Sequence, residues 1–256
     1  MRNRTLATVC TALALVPLCL SGCAPAAPAP PAATVTSLPP DPRAVLVAAA
    51  ELTRQTTSTM TMGRTSLSLL FTATAVVDPA AGDFAVTAEV TADGKVTRWA
   101  MTAVNDSVFL RFDDLWDGRW LRMPSADVLT TIGLDIMPNG DPGEIGKLVG
   151  QIVEVRREAP GHFSGTLDLT HTSSVALTEL PESTAETLRS LPFKAQIDAE
   201  GRLTELTLRL SDVDMSLGAV TVAFGDFGAT PDITPPAAAE VMDAPKDLTE
   251  QLSQLN

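Results

Sequence analysis

The fold is decided by residues 84–103, which read FAVTAEVTADGKVTRWAMTA. Apolar and polar residues alternate on both sides of the Asp93-Gly94 pair, with the period of two that is typical of a strand with one buried face. Asp-Gly between two such runs is a strong signal for a tight β-hairpin. The stretch therefore predicts two antiparallel strands whose apolar side chains share one face.

The same alternation continues on both sides of this hairpin. It begins upstream over 67–77 and ends downstream over 108–112, with short turns between the segments, so four consecutive strands form an antiparallel meander. After a breaker-rich middle the pattern resumes over 152–158, 162–170, 193–198, 206–210 and 215–227. We therefore expect eight or nine antiparallel strands, with one apolar and one wet sheet face.

Helices are predicted at few places. Asp41 can cap a helix that begins at Pro42, and apolar residues at helical spacing continue from there to Gln55. Shorter helices are predicted over 126–132, 144–150 and 181–190, with a weak one from 246. Because the apolar sheet face needs a cover, these helices must lie on it. The prediction is therefore one antiparallel half-barrel of the α+β class.

The N-terminus begins with Arg2 and Arg4 and continues with an uncharged apolar run, which is typical of a secretory signal peptide. The run is shorter than the ~20 residues that a bilayer-spanning helix needs. It closes with Leu20-Ser21-Gly22-Cys23, which resembles the lipobox of bacterial lipoproteins, a class in which the cysteine is acylated and becomes the mature N-terminus. We therefore expect lipidation of Cys23. The alternative is a plain signal peptide that ends near a cysteine.

These features divide the chain into four parts. Residues 1–22 are the signal peptide, 23–41 a Pro/Ala-rich tether of polyproline II character, 42–236 the half-barrel domain and 237–256 a C-terminal tail. Two of the three cysteines lie in the signal peptide. The exported domain can then have no internal disulfide, so its stability depends on a hydrophobic core.

The composition excludes several partners. A formal net charge of −13 argues against nucleic acid and against charge-driven adhesion to anionic headgroups, so membrane attachment must come from acyl chains. Tyrosine is absent, which disfavours sugar and peptide sites. The abundant aliphatic residues either fill a core or line a cavity.

Catalytic and metal-binding patterns are weak. His162 and His171 lack the spacing of a metal pair, and residues 113–118 resemble a calcium loop with Leu115 at a ligand position. Ser164 lies close to His162 in sequence, which leaves a hydrolase as the least favoured alternative. We expect no catalytic residue, no metal and no cofactor.

Five features of the chain carry a family resemblance. They are the lipobox at Cys23, LPPDP at 38–42, the strand meander, Gly118-Arg119-Trp120, and FGDFG at 224–228 with DITPP at 232–236. Together they resemble the LppX/LprAFG lipoproteins of actinobacteria, whose half-barrel is similar to that of the LolA and LolB lipoprotein carriers. The resemblance implies a curved antiparallel β half-barrel, with helices covering the concave face and an apolar cavity between them. It also implies that the cavity accepts acyl chains of envelope lipids, and that some members work with a membrane transporter.

The resulting expectation is a non-enzymatic cell-envelope lipoprotein that binds or carries acylated lipids. Its expected partners are an acylated envelope lipid, the cell membrane that it joins through a lipid anchor on the extracytoplasmic face, and a membrane transporter. Two alternatives remain open. One is a structural or sensory envelope lipoprotein that acts through a protein partner, and the other is the hydrolase.

If a cavity exists, its wall should be the apolar face of the strands, closed by residues of the short helices. The strand candidates are Phe84, Val86, Trp99, Met101, Leu110, Phe193, Ile197, Leu206, Leu208 and Phe224. The helix candidates are Leu129, Ile132 and Leu148. The same side chains would form a filled core if the protein carries no lipid.

Overall fold

Twelve strands form one open sheet in the computed structural model, which describes residues 40–123, 135–170, 187–212, 215–245 and 248. These residues belong to one compact unit that begins at Pro39. The signal peptide and nearly all of the tether, the predicted helix over 126–132 and most of the one over 181–190 lie outside the described residues.

The described helices and strands follow one another in this order: α1 (Pro42–Arg54), β1 (Ser58–Thr65), β2 (Leu69–Asp78), β3 (Asp83–Ala92), β4 (Lys95–Val104), β5 (Ser107–Phe112), β6 (Trp120–Arg122), α2 (Ile145–Gly150), β7 (Ile152–Ala159), β8 (His162–Leu167), β9 (Leu191–Ile197), β10 (Leu203–Leu208), β11 (Ala219–Gly225) and β12 (Val241–Asp243).

The strands lie side by side in the order β12-β6-β5-β4-β3-β2-β1-β11-β10-β9-β8-β7. Every neighbouring pair is antiparallel except β12 and β6, which run parallel. The prediction of a largely antiparallel sheet is confirmed, whereas the expected eight or nine strands were too few. Among the described residues the sheet is mixed, with β12 and β7 as its outermost strands.

The hairpin at the centre of the sequence argument forms as predicted. β3 and β4 pair over their whole length, from Phe84 opposite Ala103 to Ala92 opposite Lys95. Asp93 and Gly94 have φ angles of 50° and 76°. Positive φ at both central residues is what the favoured two-residue hairpin turn requires. The flanking pairs β2–β3 and β4–β5 complete the expected meander.

Strand β1 was not predicted, although it joins the two halves of the sheet. It pairs with β2 on one side and with β11 on the other, so that Met60 lies opposite both Ala75 and Phe224. Its sequence, STMTMGRT, gives only two clearly apolar positions before Gly63 and Arg64 interrupt the pattern. The pairing of β1 therefore comes from its two neighbours rather than from its own alternation.

Helix α1 begins and ends close to its predicted limits. The Asp41 carboxylate accepts a hydrogen bond from the Arg43 backbone N–H at 3.2 Å, and Pro42 occupies the first turn. The helix packs against α2, β7 and β10. Near its N-terminus the Arg43 guanidinium donates to the carbonyl oxygens of Ile152 and Val153 in β7.

The two described helices contact the sheet on the side of β7 to β11, and a helical cover over the whole face is not seen. Length explains this limit. A helix of 13 residues is about 20 Å long, whereas twelve strands spaced about 4.8 Å apart span more than 50 Å. The predicted α2 is confirmed at Ile145–Gly150. Of the helix predicted over 181–190, only 187–190 is described, and it is a 3₁₀ turn.

Two further findings modify the predicted layout. Ala100, Thr102, Val104 and Phe109 on β4 and β5 are buried although they lie on the face opposite Met101, so that face is not uniformly wet. The residues after 236, which the sequence sets apart as a tail, contribute β12 to the sheet and bury Leu248 in the core.

In the described part of the chain, no helix has the length and apolar character that crossing a membrane would require.

Candidate ligand-binding face

One face of the sheet, here called the apolar face, carries a continuous row of apolar side chains. Residues directly opposite each other on neighbouring strands project to the same side of a sheet. The row formed by such partners runs through Met242, Leu121, Leu110, Met101, Val86, Ala75, Met60 and Phe224. It crosses eight neighbouring strands without a charged residue.

Most of the predicted lining residues lie together on or against this face. Phe84, Val86, Trp99, Met101, Leu110, Leu148, Phe193, Leu206, Leu208 and Phe224 are buried in one cluster. Ile197 is partly buried and packs against that cluster. Leu129 and Ile132 lie outside the described residues.

Near the middle of β2 and β3 the apolar face carries small side chains. Ala73 lies directly opposite Ala88, and Ala75 lies opposite Val86. Beyond them stands the much larger Trp99, which pairs with Ala88 from β4. A methyl side chain rises little above the backbone, yet Ala73, Ala75 and Ala88 are all buried, so other residues of the chain cover this part of the face.

Protein already fills the face over β1 and β11. A Cβ atom added to Gly143 would lie 2.9 Å from Cγ1 of Val222 and 3.3 Å from Sδ of Met60, so the backbone before α2 rests directly on these strands. Ile145, Leu148 and Val149 of α2 are buried in the same cluster. This half of the apolar face is a packed interior.

Asp141 holds that segment in place. Its carboxylate accepts hydrogen bonds from the backbone N–H groups of Gly146 and Lys147, each at 3.0 Å, and pairs with Nε of Arg54 at 3.2 Å. The side chain thereby satisfies free N–H groups in the first turn of α2 and joins that turn to the C-terminal end of α1. The role of this buried acid is structural.

Three charged residues lie on the apolar face by their register, namely Arg64, Lys95 opposite Ala92 and Arg157 opposite Phe163, and Arg64 is the one that lies on a central strand. On β1 it alternates in step with Met60 and Met62, and it lies opposite Phe71 of β2 and Val220 of β11, both of which belong to the core or pack against it. Its Nε is buried, and no hydrogen-bond partner for it occurs among the described residues. Sequence reasoning missed Arg64 because β1 itself was not recognised.

The opposite face carries an open depression of about 340 Å³ over β2 to β5. Its two arginines are already paired, since Arg98 binds Glu89 at 2.7 Å and Arg111 lies 3.7 Å from Asp113. The Arg111 guanidinium also stacks on Trp120 at 5.0 Å. With each cation next to its own carboxylate, this depression offers little charge to a ligand.

No hydrogen bond joins Ser164 to His162 among the described residues. The Ser164 hydroxyl donates to the Glu158 carboxylate instead, and His162 is exposed at the start of β8. The hydrogen bond from Ser164, followed by the hydrogen bond and charge of Arg156, lowers the pKa of Glu158. The ionised form of Glu158 is therefore favoured by its contacts with Ser164 and Arg156. His171 lies outside the described residues.

Metal ligands are not clustered either. Within the described ranges no group of three His, Cys, Asp or Glu side chains is placed to hold an ion. The stretch 113–118 that resembles a calcium loop forms a turn with a short 3₁₀ segment at Trp116–Gly118.

The closing motif at 224–228 has a structural role. Phe224 is in the core, the Asp226 carboxylate accepts a hydrogen bond from the Thr59 hydroxyl at 3.0 Å, and the Gly228 N–H donates to the Thr57 carbonyl at 2.8 Å. The Phe227 ring lies 4.3 Å below the Arg202 guanidinium. The motif thus joins the end of β11 to β1 and to the β9–β10 hairpin.

Comparison with known protein families and with curated proteins finds no match to this chain.

Proposed function

We propose that the protein is a non-enzymatic cell-envelope lipoprotein that binds or carries an acylated lipid on the apolar face, as the resemblance to the LppX/LprAFG lipoproteins implies. The supporting observation is the continuous apolar row across the sheet, together with the position of the predicted lining residues on that one face. In this proposal the sheet is the wall of a curved half-barrel, and the lipid chains take the place of the residues that cover the alanines of β2 and β3.

The energetics of lipid transfer support such a wall. Each buried CH₂ contributes about 0.8 kcal/mol, so two long acyl chains need an extended apolar surface to leave a membrane. Strands hold each other through backbone hydrogen bonds within the sheet. Helices and loops that lie on the face can therefore move aside without breaking the sheet, and no cofactor or reaction is required.

The proposed location follows from the N-terminal sequence. Cys23 after Leu20-Ser21-Gly22 would be acylated, and the tether would hold the domain near the extracytoplasmic face of the cell membrane. Stable anchoring needs two or more acyl chains, because one chain binds a bilayer only marginally. A membrane transporter is the proposed protein partner.

The anchor makes a direct prediction. Cys23→Ala should shift the protein from the membrane fraction to the soluble fraction, because the acyl chains and not surface charge would hold it there. Mass spectrometry of the mature N-terminus checks the modification itself. An unmodified Cys23 in wild-type protein that still sediments with membranes would contradict the anchor.

A second candidate is favoured by one observation. The backbone at Gly143 rests on Met60 and Val222, so part of the apolar face is filled by the protein's own residues. A face filled in this way over its whole area would suit a structural or sensory envelope lipoprotein that acts through a protein partner.

Native mass spectrometry of the purified full chain separates the two candidates. A lipid carrier should retain co-purified lipid at a defined stoichiometry, and organic extraction should release it. Protein that carries no lipid, and takes none up from detergent micelles containing phospholipid, would rule out the carrier and leave the filled core.

A further inference from the structure

Arg64 places a positive charge among apolar side chains of this face, at the end of the sheet where Lys95 also lies. The neighbours of Arg64 across the sheet are Phe71 and Val220, and its Nε is buried without a hydrogen bond to any described residue. A guanidinium is always charged in proteins and presents donors in a fork that fits carboxylate and phosphate groups. A buried donor without a partner is costly. Arg64 as a whole is only partly buried, so an anionic group from outside the chain can reach the exposed part of its guanidinium.

The end of the sheet near Arg64 also exposes large apolar side chains. Leu67, in the turn between β1 and β2, and Met215, in the loop before β11, are each 85% exposed. The two loops touch, since the Leu67 N–H donates to the Ser216 carbonyl at 3.2 Å. Apolar side chains that project together from loop tips are typical of a surface that meets a protein or a membrane.

The neighbouring strands continue this exposed rim. Leu70 of β2 and Val96 of β4 both lie opposite Thr91 of β3 and both are exposed, although they project from the face opposite Arg64. We call this end of the sheet, where β1 ends and β2 and β11 begin, the Arg64 end.

The described chain also begins at this end. Arg43, in the first turn of α1, donates to the carbonyl of Ile152, the first residue of β7. Ile152 pairs with Leu167, which pairs with Leu191 at the start of β9. Next to the start of β9, the Arg209 N–H donates to the Pro192 carbonyl at 3.0 Å. Two residues later, the Ser211 N–H donates to the Gly218 carbonyl at 2.6 Å. Gly218 belongs to the loop that contacts Leu67 through Ser216. All these residues lie at the same end of their strands.

We propose that the Arg64 end faces the bilayer and binds the anionic headgroup of an incoming lipid: Leu67 and Met215 contact the bilayer surface, and the Arg64 guanidinium binds the phosphate of the headgroup while the acyl chains lie on the apolar face. This inference rests on the proposed function, which it deepens by assigning the lipid class and the entry point. A neutral lipid would leave Arg64 unpaired, so the site discriminates by charge.

The headgroup contact is tested on the purified full chain in detergent. Phosphatidylglycerol and phosphatidylcholine with identical acyl chains are offered in equal amounts, and native mass spectrometry counts each bound lipid. Wild-type protein should prefer phosphatidylglycerol. Arg64→Ala should reduce that preference about tenfold, the equivalent of one hydrogen bond to a charged group, while Arg64→Lys retains most of it. Arg98→Ala, which removes a paired arginine from the opposite face, is the matched control and should change nothing.

The bilayer contact is tested by rate. Donor vesicles of phosphatidylglycerol carry a fluorescent analogue, and the initial rate of uptake is compared between variants. Leu67→Ser with Met215→Ser should slow uptake without altering the preference between the two lipids. The control is Val47→Ser with Leu52→Ser, which removes exposed apolar side chains from α1 instead.

The outcomes are distinguishable. An unchanged phosphatidylglycerol preference in a folded Arg64→Ala variant would overturn the headgroup site, and unchanged uptake in the Leu67/Met215 variant would overturn the docking surface. Wild-type protein that binds neither lipid would instead refute the proposed function itself.

Discussion

Thr53 is a fully buried residue of α1 that hydrogen-bonds to a strand. Its hydroxyl accepts from the Leu203 N–H at 2.8 Å and donates to the Leu203 carbonyl at 3.2 Å. One side chain thereby serves both backbone groups of the first residue of β10. It is the direct hydrogen-bonded link between α1 and that strand.

Thr53→Val keeps the shape of this side chain and removes both hydrogen bonds. Unpaired buried polar groups cost about 1–3 kcal/mol each, so the variant should lose at least that much free energy of unfolding. Thr53→Ser is the control, because it keeps the hydroxyl and loses one methyl group, worth about 0.8 kcal/mol. Denaturant titrations measure both. A Val variant as stable as the Ser variant would show that the hydroxyl contributes nothing.

At the scale of single residues, the sequence predicted the apolar members of the apolar face well and Arg64 poorly. Phe84, Met101 and Leu110 lie where a period of two places them. The position of Arg64 on this face could not be predicted, because a lone arginine after Thr, Met and Gly is typical of a polar loop. Only the pairing with Phe71 and Val220 identifies the face to which it belongs.

Among the elements, the turns between strands carry most of the backbone constraints. Gly218 precedes β11 with a φ of 68°, and a Cβ there would overlap the carbonyl oxygen of Thr65. Its own carbonyl accepts a hydrogen bond from the Ser211 N–H at 2.6 Å. The glycine thus lets the loop before β11 pass close to the end of β1.

Gly218→Ala should therefore be more destabilising than an ordinary substitution at positive φ. Gly82→Ala is the matched control, since Gly82 has a φ of 75° but open space around its Cα, and it should cost only about 1–2 kcal/mol for the left-handed conformation. The Gly218 variant adds a backbone clash and should exceed that loss. Equal thermal midpoints for the two variants would contradict the close approach.

The β9–β10 hairpin should make stability depend on acid pH. Burial of Asp198 raises its pKa, but the hydrogen bonds and charge of Arg202 outweigh burial and lower it overall. A carboxyl whose folded pKa is lowered stabilises the fold above its unfolded pKa, about 3.9 for Asp, and this contribution is lost as pH falls through the folded value.

We expect Asp198→Asn to be less stable than wild type at pH 7, and the difference between them to shrink below about pH 4. Paired denaturant titrations across that range measure it. A difference that stays constant with pH would mean that Asp198 does not titrate with folding.

Elements with their own alternation or caps were predictable, and those defined by their partners were not. The β3–β4 hairpin and α1 are specified locally, by Asp93-Gly94 and by Asp41-Pro42. β12 is specified by its long-range pairing with β6, and β1 by its pairing with β11 together with its hairpin with β2. The pairings with β6 and β11 join residues far apart in the chain, and no local pattern records them.

At the scale of the whole molecule, the proposed function depends on how much of the apolar face is filled. The backbone at Gly143 packs directly on the face near β1 and β11. In the middle of β2 and β3, the side chains of the face are mostly alanine methyl groups. Leu208 of β10 lies between Phe193 and Val220 and is buried. The stability of Leu208 variants therefore shows how tightly the part of the sheet beyond β11 is packed.

Two substitutions of Leu208 distinguish a cavity wall from a packed core. In a packed core Leu208→Ala should cost about 2–5 kcal/mol and Leu208→Trp about 1–3 kcal/mol. At a cavity wall the Ala variant loses less packing, and the Trp side chain enters open space. For a lipid carrier we therefore expect Leu208→Trp to keep a near wild-type thermal midpoint while its yield of extractable lipid falls. Early unfolding of both variants, with no lipid on the wild-type protein, would place Leu208 in a filled core and favour the lipoprotein that acts through a protein partner.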